Sequence, residues 1–166
     1  MATLPPSFLH IAEVDRGDRL VAPLFRRKFA CEPPAYGHHM IAFHLRPDGS
    51  SKPAGYLNVW MRNGLGYVGG GCTDGQVIRE MQDAERAALT DSGGVLLHLL
   101  GYCFRRFEPE LDAFVGHCGN ARAKEVDLRA GFRETKYDYL LVRPNADLPA
   151  ARLEEIVEEA FAAGAF

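Results

Sequence analysis

The dipeptide Asn63-Gly64 lies between two apolar runs, residues 54–62 (AGYLNVWMR) and 65–72 (LGYVGGGC). Both residues tolerate the positive φ of a type I′ turn, so the pair calls for a two-residue hairpin. Upstream, residues 38–46 alternate, with His39, Ile41, Phe43 and Leu45 on one face and Met40, Ala42 and His44 on the other. The segment RPDGSSKP, with Asp-Gly at its centre, supplies the turn that follows. Three consecutive strands therefore form an antiparallel meander.

Residues 7–14 (SFLHIAEV) read as an earlier strand, and RGDRLVAPLFRRKFA as a short helix with Leu20, Val21, Leu24, Phe25 and Phe29 three or four apart. Pro23 lies inside that pattern and should break the helix or delay its start; CEPPAYG is a loop. After the meander the period changes from two to helical. Val77, Ile78, Met81, Ala84 and Ala88 predict one helix over 75–89. Ser92 offers an N-cap, and Gly93-Gly94 opens a second helix with Val95, Leu96, Leu99, Leu100, Cys103, Phe104 and Phe107 on its buried stripe. LDAFVGH (111–117) reads as a buried strand, Asn120 begins another helix, and Gly131 ends it. Residues 132–143 read as one long final strand, and Asp147 and Pro149 start a last helix bearing Leu153, Ile156, Val157, Ala160 and Phe161. A meander followed by βαβ-like elements predicts an α/β (α+β) fold, a mixed and mostly antiparallel central sheet with helices on both faces.

Composition narrows the function classes. At 166 residues and 47% hydrophobic, the chain suits one globular domain. Its net charge of -3 comes from residues 151–166, which hold four Glu and one Arg; the remainder is balanced and lacks the basic excess of a nucleic-acid binder. No apolar run approaches the roughly 20 residues of a membrane span, and MATLPPSFLH does not read as a secretory signal. A cytoplasmic location, with no membrane or nucleic-acid partner, is expected. Cys31, Cys72, Cys103 and Cys118 form no CxxC pair, and His38-His39 would point to opposite faces of a strand, so no metal site is expected.

The stretch from Asn120 to Phe132 resembles the motif N-x-x-A-x-x-L-Y-x-K-x-G-F of the GNAT acyltransferase superfamily. Asn120, Ala123, Val126, Asp127, Arg129, Gly131 and Phe132 occupy its offsets, and six of these seven match in identity or type. The exception is Asp127, where the family has tyrosine. The order of predicted elements extends the resemblance from about residue 8 to 143. It implies a GNAT-like domain over 1–146, with residues 147–166 as an amphipathic helix docked on that domain or on a second subunit of a homodimer. It also implies acetyl-CoA or another acyl-CoA as acyl donor, and as acceptor a small-molecule amine or an amino group of another protein. The family's R/Q-x-x-G-x-G/A loop is not reproduced: the leading Arg or Gln is missing, and Asp91 adds a negative charge.

On that resemblance Gly71, Cys72 and Thr73 form part of a strand edge for the pantothenyl arm. Ser92, Gly93, Gly94 and Val95 hold the pyrophosphate, and Asn120 and Ala123 of the motif are further cofactor-binding residues. A helix N-terminus offers unpaired N–H groups and roughly half a positive charge to such an anion. A simple cap and turn at 92–94, and a β-bulge at the glycines 69–71, are the plainer alternatives. Gly93→Glu is then expected to abolish coenzyme A binding with little effect on stability. Asp74 and His117 close the fourth and fifth strands, whose ends should face one cleft, and are candidate catalytic groups, His117 as base. Asp127 is the third. It is either a buried, protonated acid that donates to the leaving thiolate, or a surface residue beside Lys124; the helical spacing favours the second. A catalytically silent module that binds acyl-CoA or a partner protein is the alternative function. A Cys-His hydrolase using Cys72 or Cys118 with His117 comes third.

Overall fold

A computed structural model describes residues 4–166; residues 1–3, the start of the stretch read for a secretory signal, lie outside the described residues. The elements run β1 (Leu9–Glu13), α1 (Gly17–Phe29), β2 (His38–Leu45), β3 (Ser51–Arg62), β4 (Leu65–Thr73), α2 (Gly75–Glu80), α3 (Asp83–Asp91), α4 (Val95–Phe107), β5 (Ala113–His117), α5 (Ala121–Arg129), β6 (Arg133–Glu134), β7 (Leu140–Pro144) and α6 (Ala150–Ala162). They build one seven-stranded sheet in the order β1-β2-β3-β4-β5-β7-β6. Every neighbouring pair is antiparallel except β4 and β5.

The hairpin turn is where the sequence puts it, with φ of 52° at Asn63 and 76° at Gly64. Both faces of the meander are covered, which is why both alternating sets of β2 are buried. Met40, Ala42, Leu57 and Val59 pack with the α4 stripe, Leu99, Leu100, Cys103 and Phe107. Ile41, Tyr56 and Cys72 face the other way, onto Val21, Leu24 and Phe25 of α1. A third cluster joins Leu65, Tyr67, Ala113, Val115, Leu140 and Val142 to Ile156, Val157 and Ala160 of α6.

Three expectations about elements are corrected. Pro23 does not break α1, which runs through it: the proline is on the exposed side while Val21, Leu24 and Phe25 are buried. Burial of those three side chains outweighs a cost of about 3 kcal/mol for the lost hydrogen bond and ring clash. The helix expected over 75–89 is two helices. Met81 and Gln82 are extended, and Gln82 caps α3 through a reciprocal capping box, its N–H donating to Glu85 Oε2 at 2.9 Å. Residues 132–143 are a hairpin and not one strand. Thr135 Oγ1 accepts from the Tyr137 N–H at 3.1 Å and donates to the Leu140 carbonyl at 2.9 Å, turning the chain so that Arg133 pairs with Val142. Among the described residues, no helix is long and apolar enough to cross a membrane, and no group of three or more His, Cys, Asp or Glu could hold a metal ion.

Candidate functional site

The parallel ladder between β4 and β5 runs from Leu65↔Ala113 to Val68↔Gly116 and stops there. Beyond it β4 bulges: Tyr56 of β3 pairs with Cys72 and Asn58 with Gly69, so one β3 residue opposes two on β4. Gly70 carries the bulge at φ +61°, a conformation that costs an L side chain strain. Meanwhile β5 stays with β7, the Cys118 N–H donating to the Tyr139 carbonyl at 2.8 Å. The two strands part, and a cleft of about 360 Å³ opens between them. Gly69, Gly70 and Gly71 form one wall, Leu96 and Leu100 of α4 the second, and Asn120, Ala123 and Asp127 of α5 the third. Phe25, Phe29 and Phe166 close the ends, and His117 opens onto the same space.

α5 is positioned by its cap: the Asn120 side chain accepts from the Ala123 N–H at 3.0 Å. This sets Ala123 and Asp127, four apart on one helix face, toward the cleft. Burial pushes the Asp127 carboxyl up to about 6, and a hydrogen bond with the Cys118 thiol partly opposes that rise. Lys124 is ion-paired with Glu134 of β6 instead, which overturns the expected surface pair with Asp127. The reason is tertiary: the β6–β7 hairpin brings an acid to Lys124 that helical spacing alone does not reveal. Burial also lowers His117 from its ordinary value, and its Nε2 is buried with no hydrogen-bond partner among the described residues. An acid held partly protonated and a histidine held neutral thus open on one cavity, the complementary pair that proton transfer needs.

No family model matches the chain, and no curated protein matches it. Solved structures do. N-acetylglutamate synthase from Neisseria gonorrhoeae, complexed with coenzyme A and L-arginine, superposes with a TM-score of 0.55 at 15% identity over 84% of this chain. This chain spans only 34% of that protein. The ribosomal-protein-S18-alanine N-acetyltransferase from Escherichia coli gives 0.52 at 14% identity, covering 86% of this chain and 97% of its own. Superposition over more than four fifths of this chain in both cases decides the matter. This chain has the GNAT fold.

Within that GNAT framework the structure brings together Gly71, His117, Asn120, Ala123 and Asp127 on the cleft and leaves other expected residues elsewhere. Asp74 is corrected: it is buried, it accepts from Arg27 Nη2 at 2.7 Å, and it caps α2 by accepting from the Gln76 N–H at 2.9 Å. Both carboxylate oxygens are thus committed to structure. Ser92 ends α3 and does not begin α4, whose N-cap is Gly94; the Ser92 hydroxyl donates to the Leu89 carbonyl at 3.0 Å. Val95 is core, and Thr73 pairs with Gly55 without lining the cleft. Cys72 is buried against α1 with its thiol pushed up to about 12, which is inconsistent with a thiolate nucleophile. Cys118, also raised by burial, remains beside Asp127.

Two features escaped sequence reasoning. A Cβ at Gly93 would lie 3.1 Å from Arg129 Nη2, so the guanidinium of α5 stands at the first turn of α4. Its place in the motif stretch was visible, but its proximity to Gly93 was not. Phe166 had no local signal at all. A Cβ at Gly69 would come within 2.7 Å of the backbone C and O of Phe166, whose ring stacks on His117 at 4.3 Å.

Proposed function

We propose that the protein moves an acyl group, with acetyl as the simplest case, from coenzyme A to a primary amine. The observation that carries this reading is the parting of β4 and β5 beyond Val68 and Gly116 into a glycine-walled cleft on which His117 and Asp127 both open. The residues present fit an extended, phosphorylated thioester. The side-chain-free wall at Gly69–Gly71 admits an apolar arm beside Leu96 and Leu100. The first turn of α4, capped by Gly94, presents N–H groups beside the Arg129 guanidinium, which lines a neighbouring cavity with Leu97. That guanidinium supplies the cation that the departed loop motif lacks.

When bound, an acyl-CoA supplies an acyl carbon activated by a thiolate leaving group. His117 Nε2, neutral near pH 7, accepts the proton from the attacking amine, directly or through water. A backbone N–H on the β4 edge polarises the carbonyl. The C–N bond forms as the C–S bond breaks, and the Asp127 carboxyl, the fraction that burial keeps protonated, gives its proton to the departing sulfur.

The test is a thermal-shift titration with coenzyme A and acetyl-CoA. At 100-fold over its dissociation constant a ligand adds about 2.7 kcal/mol, a readable rise in melting temperature. Ala123→Trp fills the cleft from the surface of α5 and is expected to abolish the rise. No rise in the wild type at millimolar coenzyme A would overturn the proposal. The second reading, a silent module that binds acyl-CoA or a partner protein, draws support from Phe166 lying in the cleft. Binding without acetyl-CoA consumption across an amine panel would select it.

A further inference from the structure

Residues 164–166 follow α6 and lie on the sheet face opposite α4. The α4 stripe packs on Leu57, Val59 and Val68, whereas Phe166 joins Leu65, Tyr67 and Val115 in the cluster that α6 covers. From there its ring reaches the gap between β4 and β5. It stacks on His117 at 4.3 Å with 23° between planes and meets Tyr67 edge-on at 5.0 Å. Its backbone crosses β4 at Gly69. The three heavy atoms nearest a Cβ built on that glycine all belong to Phe166, its C and O at 2.7 Å and its Cδ2 at 3.9 Å. Gly69, unlike Gly70, has no positive φ to account for it. The missing side chain makes room for Phe166.

The seat fits closely, but its fastening is weak. Among the described residues no hydrogen bond ties Ala165 or Phe166 to the rest of the fold; the last is from the Gly164 N–H to the Phe161 carbonyl, at 3.1 Å. Gly164 has φ +78°, and a Cβ there would meet nothing within 4 Å, so the chain turns in open space. Packing alone holds the end, and contacts of that kind open locally without unfolding the sheet. Phe166 lines both the cleft and an adjoining cavity of about 450 Å³, and His117 lines both as well. In the reading above, the donor arm takes the α4 side of the cleft, which leaves the side of Phe166 for the amine. We propose that residues 164–166 are an autoinhibitory strap: seated on Gly69 and His117 they close the amine's approach, and turning out at Gly164 opens it. A strap closed most of the time lowers the apparent affinity for the amine by its open fraction and leaves the later chemistry unchanged. What the strap inhibits rests on the acyl-transfer reading; its seat does not.

The first measurement needs no turnover. Diethyl pyrocarbonate modifies neutral imidazole, and mass spectrometry of the peptides gives the rate at His117 relative to the exposed His10. Phe166→Ala is expected to raise that ratio by about fivefold or more. Gly69→Ala should do the same, because its methyl group evicts the Phe166 backbone. In the Phe166→Ala background Gly69→Ala should add less than about twofold, since both changes open one strap. Phe166→Trp, which keeps a ring on His117, should leave the ratio at or below that of wild type. The second measurement is acetyl transfer from acetyl-CoA to the amine panel. Phe166→Ala should lower the KM of each amine transferred by about threefold or more, with kcat and the KM for acetyl-CoA within about twofold of wild type. An unchanged His117 ratio in both Phe166→Ala and Gly69→Ala would overturn the strap and leave acyl transfer standing. A raised ratio with an unchanged or higher amine KM would overturn its inhibitory role. Transfer absent from wild type and Phe166→Ala alike would overturn that role together with the acyl-transfer reading, and the His117 ratio would then decide the strap by itself.

Discussion

Asp127 is the residue at which helix geometry and the folded environment disagree most. On the helix surface a cation one turn away would keep it ionised. In the cleft, burial among Ala123, Asn120 and the Cys118 thiol drives its pKa from 3.8 to about 6. The folded state therefore binds this proton more tightly than the unfolded chain. Stability that is present below pH 4 is lost as pH rises through about 6. Asp127→Asn removes that loss. It is expected to melt like wild type near pH 4 and to be more stable by about 1–2 kcal/mol at pH 7.5, after allowance for solvent screening. The same variant should lose turnover by about hundredfold if the carboxyl protonates the leaving sulfur. Wild-type kcat should fall as pH rises through about 6, a limb that the variant lacks. A variant with full turnover and an unchanged pH profile would return Asp127 to a structural role. Gly93 makes the opposite lesson. At φ +104°, with a Cβ position 2.4 Å from Leu97 Cδ2, any side chain there strains the backbone and displaces the end of Leu97. Gly93→Glu is therefore no clean probe of anion binding. Even Gly93→Ala should lower the apo protein's stability by about 1–3 kcal/mol in chemical denaturation.

Among the elements, α6 shows how a short amphipathic helix is held. Ile156, Val157 and Ala160 are buried over Leu65, Tyr67, Leu140 and Val142, while Phe161 stays 42% exposed and stacks on Tyr137 at 4.0 Å. The docking face is thus centred one position from the Leu153/Ile156/Val157/Phe161 set that spacing suggested. Asn63 Nδ2 donates to Glu159 Oε1 at 2.6 Å, tying the helix to the β3–β4 turn. Ile156→Ala is expected to cost about 2–5 kcal/mol, and the Ile156 and Val157 amides should exchange only on global opening. Exchange within seconds would refute the docking. The meander and the α4 stripe were legible because their periods are long and unbroken. The 75–89 and 132–143 readings failed where short side-chain bonds, the Gln82–Glu85 box and the Thr135 turn, interrupted a pattern that hydrophobicity alone carries through. Such interruptions use polar residues that a periodicity argument treats as neutral.

At the scale of the molecule, a seven-stranded sheet covered on both faces opens where β4 and β5 part, and the candidate site lies there. Local sequence was enough to determine the Asn63-Gly64 hairpin, the three-strand meander, the buried stripe of α4, the Asn120 cap and the glycines of the β4 wall. Each depends on contacts within a few residues or on a repeated spacing, and both are written along the chain. His117 and Asn120 were visible as candidates for the same reason, at the end of a strand and the start of a helix. What only tertiary structure decided depends on residues far apart in sequence. Arg27 commits Asp74 to a structural pair, Glu134 takes Lys124 from Asp127, and Phe166 lies on Gly69 and His117. Whether a carboxyl is a surface ion or a buried acid is a question of solvation. Solvation is set by whatever the rest of the chain brings to cover it, and that is known only once the chain has folded.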